Sequence, residues 1–576
     1  MRNKVDFTLP LDSLFLNPWQ DSGLSLIGVP DFLWRPMGPA LIEGFAASAD
    51  DKVNAQITAF TTQTRQHRKF KEVLEYNSVP VLLEEASFRK SHLLVGEKLL
   101  LSGASATRAR NAYRNENRGD NVDPEQDLVA YFDACQQGNI GSGVPVLDAV
   151  PDEPIDFAVE CRNTFNFYHF ITESLSQLVV LDQLDFEGNI YFHYPNADHK
   201  VRGFAQDFVD ALFPEYAGRV YFERAPKEYS RVLTAYDLIG AHYQSPDSGY
   251  DAIDALALSD RLWRGRSATA GSQAILAMNS VNTNLIKLRK RALRAVGEMD
   301  CSHLPKRFYV GRDTRQSRNR HMQGEDLLFD HLKLFGFEYV VFENLSQTEQ
   351  IALMANAEMM ISYHGAGFTN MLFAHPDAFV VEIGTLQTAV SRWGDFWPLA
   401  NAAQCKYVTF FADYKTDAES DSVHIFRDDI LPVHLSERGI GQVMAFVVSV
   451  FGHVPQLPKR EDVLRLGRQI LSVGLVDQTL AVLDAHAEMV RWDVELCLLR
   501  ANCHKHLDAP KSELVALDQA FKADPGRWQT LVRMIWCANR CQRPQVIRWA
   551  LARLQADFPD RHDAFVGNHE WVKYVA

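Results

Sequence analysis

The segment Met359–Glu382, MMISYHGAGFTNMLFAHPDAFVVE, carries the residue types and spacing that most invite a chemical reading. A buried strand runs into His364-Gly365-Ala366-Gly367 and then directly into a predicted helix. Small residues let the backbone come close to a ligand, and a helix start offers free N–H groups at the positive end of its dipole. That combination is a pyrophosphate cradle, with His364 able to donate a further hydrogen bond. A tight turn that uses its glycines only for the backbone fits the same letters. The pattern G-x-G-x-x-G is absent, which disfavours a dinucleotide dehydrogenase. Upstream, FYVGRDTRQSRNR sets Arg312, Arg315, Arg318 and Arg320 just past a strand end. Their forked donors suit a diphosphate, and one or two of the four are expected to bind. Glu382 closes the strand after the G-A-G helix. There it could accept hydrogen bonds from both ribose hydroxyls or serve in a salt bridge. A second constellation is Asn166-Phe-Tyr-His169-Phe-Ile-Thr-Glu173, whose His169 and Glu173 are four residues apart on one helix face. A carboxylate beside an imidazole orients it and raises its basicity, as a general base requires; an ordinary surface pair has the same spacing. No D-x-D triad follows an apolar strand, so no carboxylate cluster for a nucleotide-bound divalent metal is evident.

The elements that must position these residues are read from periodicity. From about residue 155 strands and helices alternate: strand 155–159, helix 168–184, strand 188–193, helix 203–212 and strands 219–222 and 232–239. Residues 250–300 read as helical. A second alternating run follows, with strands at 307–310, 337–342, 359–362 and 379–383. Its helices fall at 325–335, 347–355 and 369–373. Ser346 and Glu349 make an S-x-x-E capping box. Such alternation implies βαβ units and parallel sheets, with ligands at the carboxyl ends of the strands. Residues 78–101 read as short strands. Residues 102–127 read as a polar loop whose arginines, from Arg108 to Arg118, could guide a substrate. After about residue 456 only helices are expected. Val482-Leu-Asp484 recurs as Ala516-Leu-Asp518, and Pro525 as Pro559, each after 34 residues. This is the tetratricopeptide period, although a plain helical bundle remains the alternative.

At 576 residues the chain has room for roughly three to four domains. Its composition, 47% hydrophobic and 23% charged, is that of a globular protein rather than a disordered or fibrous one. A net charge of −14 disfavours general nucleic-acid binding. The eight cysteines form no CxxC pair and read as reduced thiols. A zinc site from Cys503, His504 and His506, or from Cys537 and Cys541, lacks a second ligand pair at finger spacing. The N-terminal stretch does not read as a signal peptide, and no apolar run approaches about 18 residues. The expectation is a cytoplasmic protein, at most peripheral to the inner face of a membrane.

The run RFYVGRD…NRHMQGEDLL…FGFEYVVFENLSQTEQIALMANAEMMISYHGAGFTNMLFAHPDAFVVEIG resembles the nucleotide-binding half of the family-61 glycosyltransferases, and WPLANAAQCKYV continues the likeness. The family includes plant wall xylosyl- and arabinosyltransferases and animal protein O-linked N-acetylglucosaminyltransferases. YHFITE resembles the family's His-then-acid segment. The resemblance is specific over 305–410, weaker over 160–185, and absent from the first 70 residues and the tail. Gly324 stands where the family often has Asn, and Phe368 where Leu is more usual.

The resemblance implies an α/β fold: a GT-B-like pair of Rossmann-type domains, here with a C-terminal all-α tetratricopeptide-like tail. The expected organisation has an N-terminal arm with short strands at 1–150, packed on the first Rossmann-like domain. An acceptor-side domain follows at 151–270, a helical connector at 271–304, a nucleotide-sugar domain at 305–455 and the helical tail at 456–576. It further implies an inverting transferase that uses a UDP-sugar, with xylose or N-acetylglucosamine favoured, and that requires no cofactor or divalent metal. By position, Arg312 and Arg320 would hold the diphosphate. His364, Gly365, Ala366, Gly367 and Asn370 would form the cradle, and Glu382 would take the ribose. His169 with Glu173 would deprotonate the acceptor hydroxyl. The acceptor would be a glycan, lipid-linked or free, in bacterial surface polysaccharide synthesis, and the tail would hold a second copy or a protein partner. A non-catalytic nucleotide-binding scaffold and a protein O-glycosyltransferase are the alternatives.

Overall fold

The computed structural model describes residues 4–30, 32–36, 40–68, 72–119, 123–138, 144–151, 153–162, 166–195, 203–237, 280–312, 322–414 and 431–575. Arg315, Arg318, Arg320 and most of the expected helical stretch 250–300 lie outside them. The fold is mixed α/β with a helical C-terminal region. A nine-stranded sheet runs in the order Val220–Arg224, Ile190–Tyr194, Phe157–Glu160, Lys227–Tyr236, Val79–Arg89, Leu24–Ile27, Val146–Leu147, with two short strands off this path. Its first three strands are parallel, and Lys227–Tyr236 is parallel to Phe157–Glu160 but antiparallel to Val79–Arg89. The second large sheet has seven strands. Its parallel core is ordered Glu338–Val340, Arg307–Val310, Met359–Tyr363, Phe379–Thr385, Lys406–Tyr414.

The N-terminal 150 residues do not pack on the first sheet alone, as the sequence suggested. Strand Leu41–Ala46 joins the second sheet, parallel to Lys406–Tyr414, while the strand Phe32–Pro36 pairs with Glu72–Tyr76 in a separate three-stranded sheet. The expected loop at 102–127 is instead mostly helix, Gly103–Glu116 followed by Pro124–Gly138. Ala106, Ala109 and Tyr113, together with the stem of Arg110, bury one face of the first of these helices. That apolar stripe outweighs the polar composition that suggested a loop.

Both large sheets reverse direction of growth at one point. In the second, Glu338–Val340 is added on one side of Arg307–Val310 and the chain then crosses to add Met359–Tyr363 on the other. The crevice beyond the carboxyl ends of the adjacent strands Arg307–Val310 and Met359–Tyr363, between which the order reverses, is where α/β sheets place ligands. Helix Thr283–Ala295 ties the halves together. Its buried Arg289 donates to the carbonyl of Leu372 at 2.8 Å, and Arg291 bonds Asp182 at 2.5 Å and Glu215 at 2.6 Å.

The side chains of the second sheet separate two cores. Phe308, Met360, Val380 and Tyr407 share one cluster with Phe157, Phe192 and Leu178 of the first half. On the opposite face Tyr309, Met359, Ile361, Val381 and Val408 share a cluster with Leu466, Ile470, Val482 and Leu496 of the tail. The tail is thus packed behind the second sheet, away from the first half. Within it, residues 460, 494 and 528 each open a 13-residue helix, and Pro510 and Pro544 each open a 14-residue one. Both sets recur at a spacing of 34, in line with the sequence offset.

Candidate active site

In the first half, strand Phe157–Glu160 leads to Asn166, whose side chain caps the next helical segment by accepting from the backbone N–H of Tyr168 at 3.0 Å. The single helix expected over 168–184 is divided. An α turn at Phe167–His169 passes into a π turn at Phe170–Ser174 and then a 3-10 stretch at Leu175–Gln183. π turns recur at functional sites, and this one carries Glu173. His169 Nδ1 lies 2.6 Å from Glu173 Oε1. An ionised carboxylate only accepts, so Nδ1 carries the proton, and the lone pair of the neutral imidazole lies on Nε2. Glu173 is nearly buried. Its other oxygen accepts from Arg108 at 2.6 Å, and Arg108 also reaches Glu160 at 3.2 Å and the Ser91 carbonyl at 3.2 Å. Arg162 stands 3.7 Å from Glu173 and 3.5 Å from His169 Nδ1. Burial pushes the Glu173 carboxyl up, but the hydrogen bond from His169 and the charges of Arg108 and Arg162 more than offset it and hold it below the usual range. Glu160 goes the other way: burial raises it despite Arg108.

In the second half, strand Met359–Tyr363 ends at His364 and the chain turns into a 3-10 helix, Ala366–Phe373. The expected α-helix is therefore a tighter and longer one that begins three residues earlier. Arg312, beyond the neighbouring strand, donates to the His364 carbonyl at 2.6 Å and lies over the Tyr363 ring at 4.8 Å. The guanidinium so bridges the two strand ends that flank the crevice. His364, Gly365, Ala366 and Gly367 remain partly open, while Phe368 onward is buried. His364 Nδ1 lies 2.5 Å from Glu382 Oε1, and the other Glu382 oxygen accepts from the Tyr407 hydroxyl. Glu382 is 2% exposed. Both of its oxygens are engaged inside the protein, so it is placed to hold His364 rather than to reach a ribose as the sequence suggested. Asn370 also moves out of the cradle: it is 1% exposed and donates to Gln350 Oε1 at 3.0 Å.

The two constellations meet. The helical turn Phe167–His169 packs on the 3-10 helix Ala366–Phe373. The Tyr168 hydroxyl donates to the Asp395 carbonyl at 2.9 Å, and the Phe396 ring lies 5.7 Å from both the Tyr168 and the His364 rings. Each half therefore supplies an imidazole whose Nδ1 is fixed by a buried carboxylate, and a single turn touches the surroundings of both. Arg108, Tyr407 and Asp395 were not singled out from the sequence for these roles. Their partners lie 65 residues away for Arg108–Glu173 and 227 for Tyr168–Asp395, and no local pattern reports such pairings.

Among the described residues no group of three or more His, Cys, Asp and Glu side chains is arranged to hold a metal ion, and no helix is long and apolar enough to cross a membrane. Cys503 and Cys537 are buried free thiols. No curated protein matches the chain. The family model Glycosyltransferase 61 matches residues 167–381, a span that takes in His169, Glu173, Arg312 and His364 and stops one residue short of Glu382. Through that region, which holds both strand-end sites, the chain is similar to the glycosyltransferase 61 family.

Proposed function

We propose that the protein is an inverting glycosyltransferase that moves a sugar, xylose or N-acetylglucosamine in first preference, from a UDP-sugar to a hydroxyl of a glycan acceptor. The convergence of the two anchored imidazoles on one cleft carries this reading. The acceptor oxygen attacks the anomeric carbon, its proton passes to His169 Nε2, and the bond from that carbon to the phosphate oxygen breaks to release UDP. Glu173 orients the imidazole and stabilises the imidazolium that forms. Charge grows on the departing diphosphate, where the Arg312 guanidinium and the open N–H groups at Gly365–Gly367 stand ready. Donors aimed at developing charge are usually the larger catalytic term, and a general base adds about 10²–10⁴-fold.

The two halves are read as a GT-B pair around that cleft, and the 34-residue recurrence of helix starts supports a tetratricopeptide-like tail. Because the tail lies behind the second sheet, it is suited to a second copy or a protein partner rather than to gripping an acceptor peptide. Assembly of a bacterial surface polysaccharide, at the inner face of a membrane and without a required metal, completes the proposal.

Thermal-shift titration against UDP, GDP, CMP and NAD, with and without EDTA, tests it. Selective stabilisation by UDP that survives EDTA is expected. His169→Ala should then lower turnover at least about 10²-fold with UDP affinity kept. Equal response to all nucleotides, or none, would overturn the donor assignment, and near-normal turnover would move the base elsewhere.

A further inference from the structure

The turn Trp393–Phe396 lies beyond the family-matched region yet borders both parts of the site. Its backbone is pinned to the first half by the Tyr168 hydroxyl at the Asp395 carbonyl, 2.9 Å away. On the other side its Phe396 ring rests 5.7 Å from His364 and 5.6 Å from Phe368. Asp395 therefore stands where the His169 helix and the His364 loop come together. Its carboxylate has Arg392 as a cationic neighbour at 3.5 Å, in a pair whose side chains are 52% and 39% exposed. Contact that long and that open to water holds a carboxylate only weakly. Arg392 and His364 are the cationic groups near enough to act on this carboxylate. The group is thus reachable from solvent, close to the second imidazole, and short of hydrogen-bond donors.

An ionised carboxylate accepts through two oxygens and donates nothing. The ligand that matches it in a sugar-transfer cleft is a pair of neighbouring hydroxyls, and hydrogen bonds to an ionised acceptor are roughly twice as strong as neutral ones. In an inverting displacement the sugar ring occupies the space between the base and the leaving phosphate, which is the space that this turn borders.

We infer that Asp395 recognises the donor sugar, its carboxylate accepting hydrogen bonds from adjacent ring hydroxyls. The assignment rests on the UDP-sugar reading above. It makes the residue a determinant of which sugar is accepted and leaves uridine diphosphate recognition to the Arg312–His364 side.

Calorimetric titration of the full chain with UDP, UDP-xylose and UDP-N-acetylglucosamine, for the wild type and for Asp395→Asn and Asp395→Ala, tests it. UDP affinity should stay within about twofold in both variants. The ratio of UDP-sugar affinity to UDP affinity should fall at least about tenfold for the sugar that the wild type prefers, because a lost charged acceptor leaves sugar hydroxyls unpaired. Retention of that ratio in both variants would overturn the role of Asp395 while leaving the transferase reading intact. A wild type that binds none of the three ligands would overturn the donor reading and this assignment with it. Melting temperatures of the two variants, expected close to wild type for a side chain so open to solvent, separate loss of recognition from loss of fold.

Discussion

Gly365 measures how tightly the two strand ends are drawn together. A Cβ there would stand 2.4 Å from a guanidinium nitrogen of Arg312. Its backbone is extended, so the requirement is space, not dihedral freedom. The obstructing atom is the far end of a flexible side chain, which can swing away at little cost. Gly365→Ala should therefore leave the melting temperature within about 2 °C while displacing Arg312 from the His364 carbonyl. UDP affinity should fall about tenfold, the equivalent of about 1.4 kcal/mol; calorimetry and a thermal melt on one preparation check both halves of this expectation. Glu382 makes the complementary point. Spacing put a carboxylate at the strand's carboxyl end, where a ribose could be held. Alternation along the strand does put Glu382 on the face of Val380, towards the first half, but His364 and Tyr407 occupy both of its oxygens there and leave it 2% exposed.

The helix Gly103–Glu116 lies outside the family-matched region and yet supplies the cation that balances Glu173 and Glu160. Arg108→Met would leave two nearly buried carboxylates without that charge. Breaking a buried pair costs about 3–5 kcal/mol. The pH dependence has a definite sign. Glu173 titrates lower in the folded protein than in the unfolded chain, so its pairing contributes stability above the unfolded value of about 4.3, and that contribution is lost as the pH falls through the folded value. The deficit of the variant should accordingly be largest near pH 7 and shrink towards pH 4 and below, as the carboxyls take up protons. Denaturant melts of wild type and variant across that range measure it, and a deficit independent of pH would refute the charge-balancing role. The capping box at Ser346 and Glu349 forms as its letters dictate, whereas the π turn at Phe170–Ser174 had no local signal. Sequence periodicity cannot tell one extra residue per turn from an ordinary helix over five positions.

On the scale of the molecule, the second sheet is shared by everything else. Its one face packs against the first half, and its other face is covered by helices of the tail. His331 and Gln469 meet at 2.8 Å in that second interface, both buried. Ending the chain at residue 455 would uncover the apolar side of helix Glu437–Phe451, with Ile440, Val443, Met444 and Val447 among its buried residues. A patch of that kind promotes aggregation, so the truncated chain should be recovered mostly insoluble, and any soluble fraction should bind a hydrophobic dye. A soluble truncated chain with an unchanged melt would show the tail to be independent. The sequence by itself determined what is local: the alternation of strands and helices, the G-A-G turn, the His169–Glu173 pair and the 34-residue recurrence of the tail. Each is written in the spacing of neighbouring letters, through side-chain periodicity and helix ends. Tertiary structure alone decided which partners Glu382 serves, that Arg108 stands behind Glu173, that an N-terminal strand completes the second sheet, and that Asp395 joins the two halves. Those outcomes depend on groups dozens to hundreds of residues apart being brought within hydrogen-bond reach, and only the burial of a common core does that.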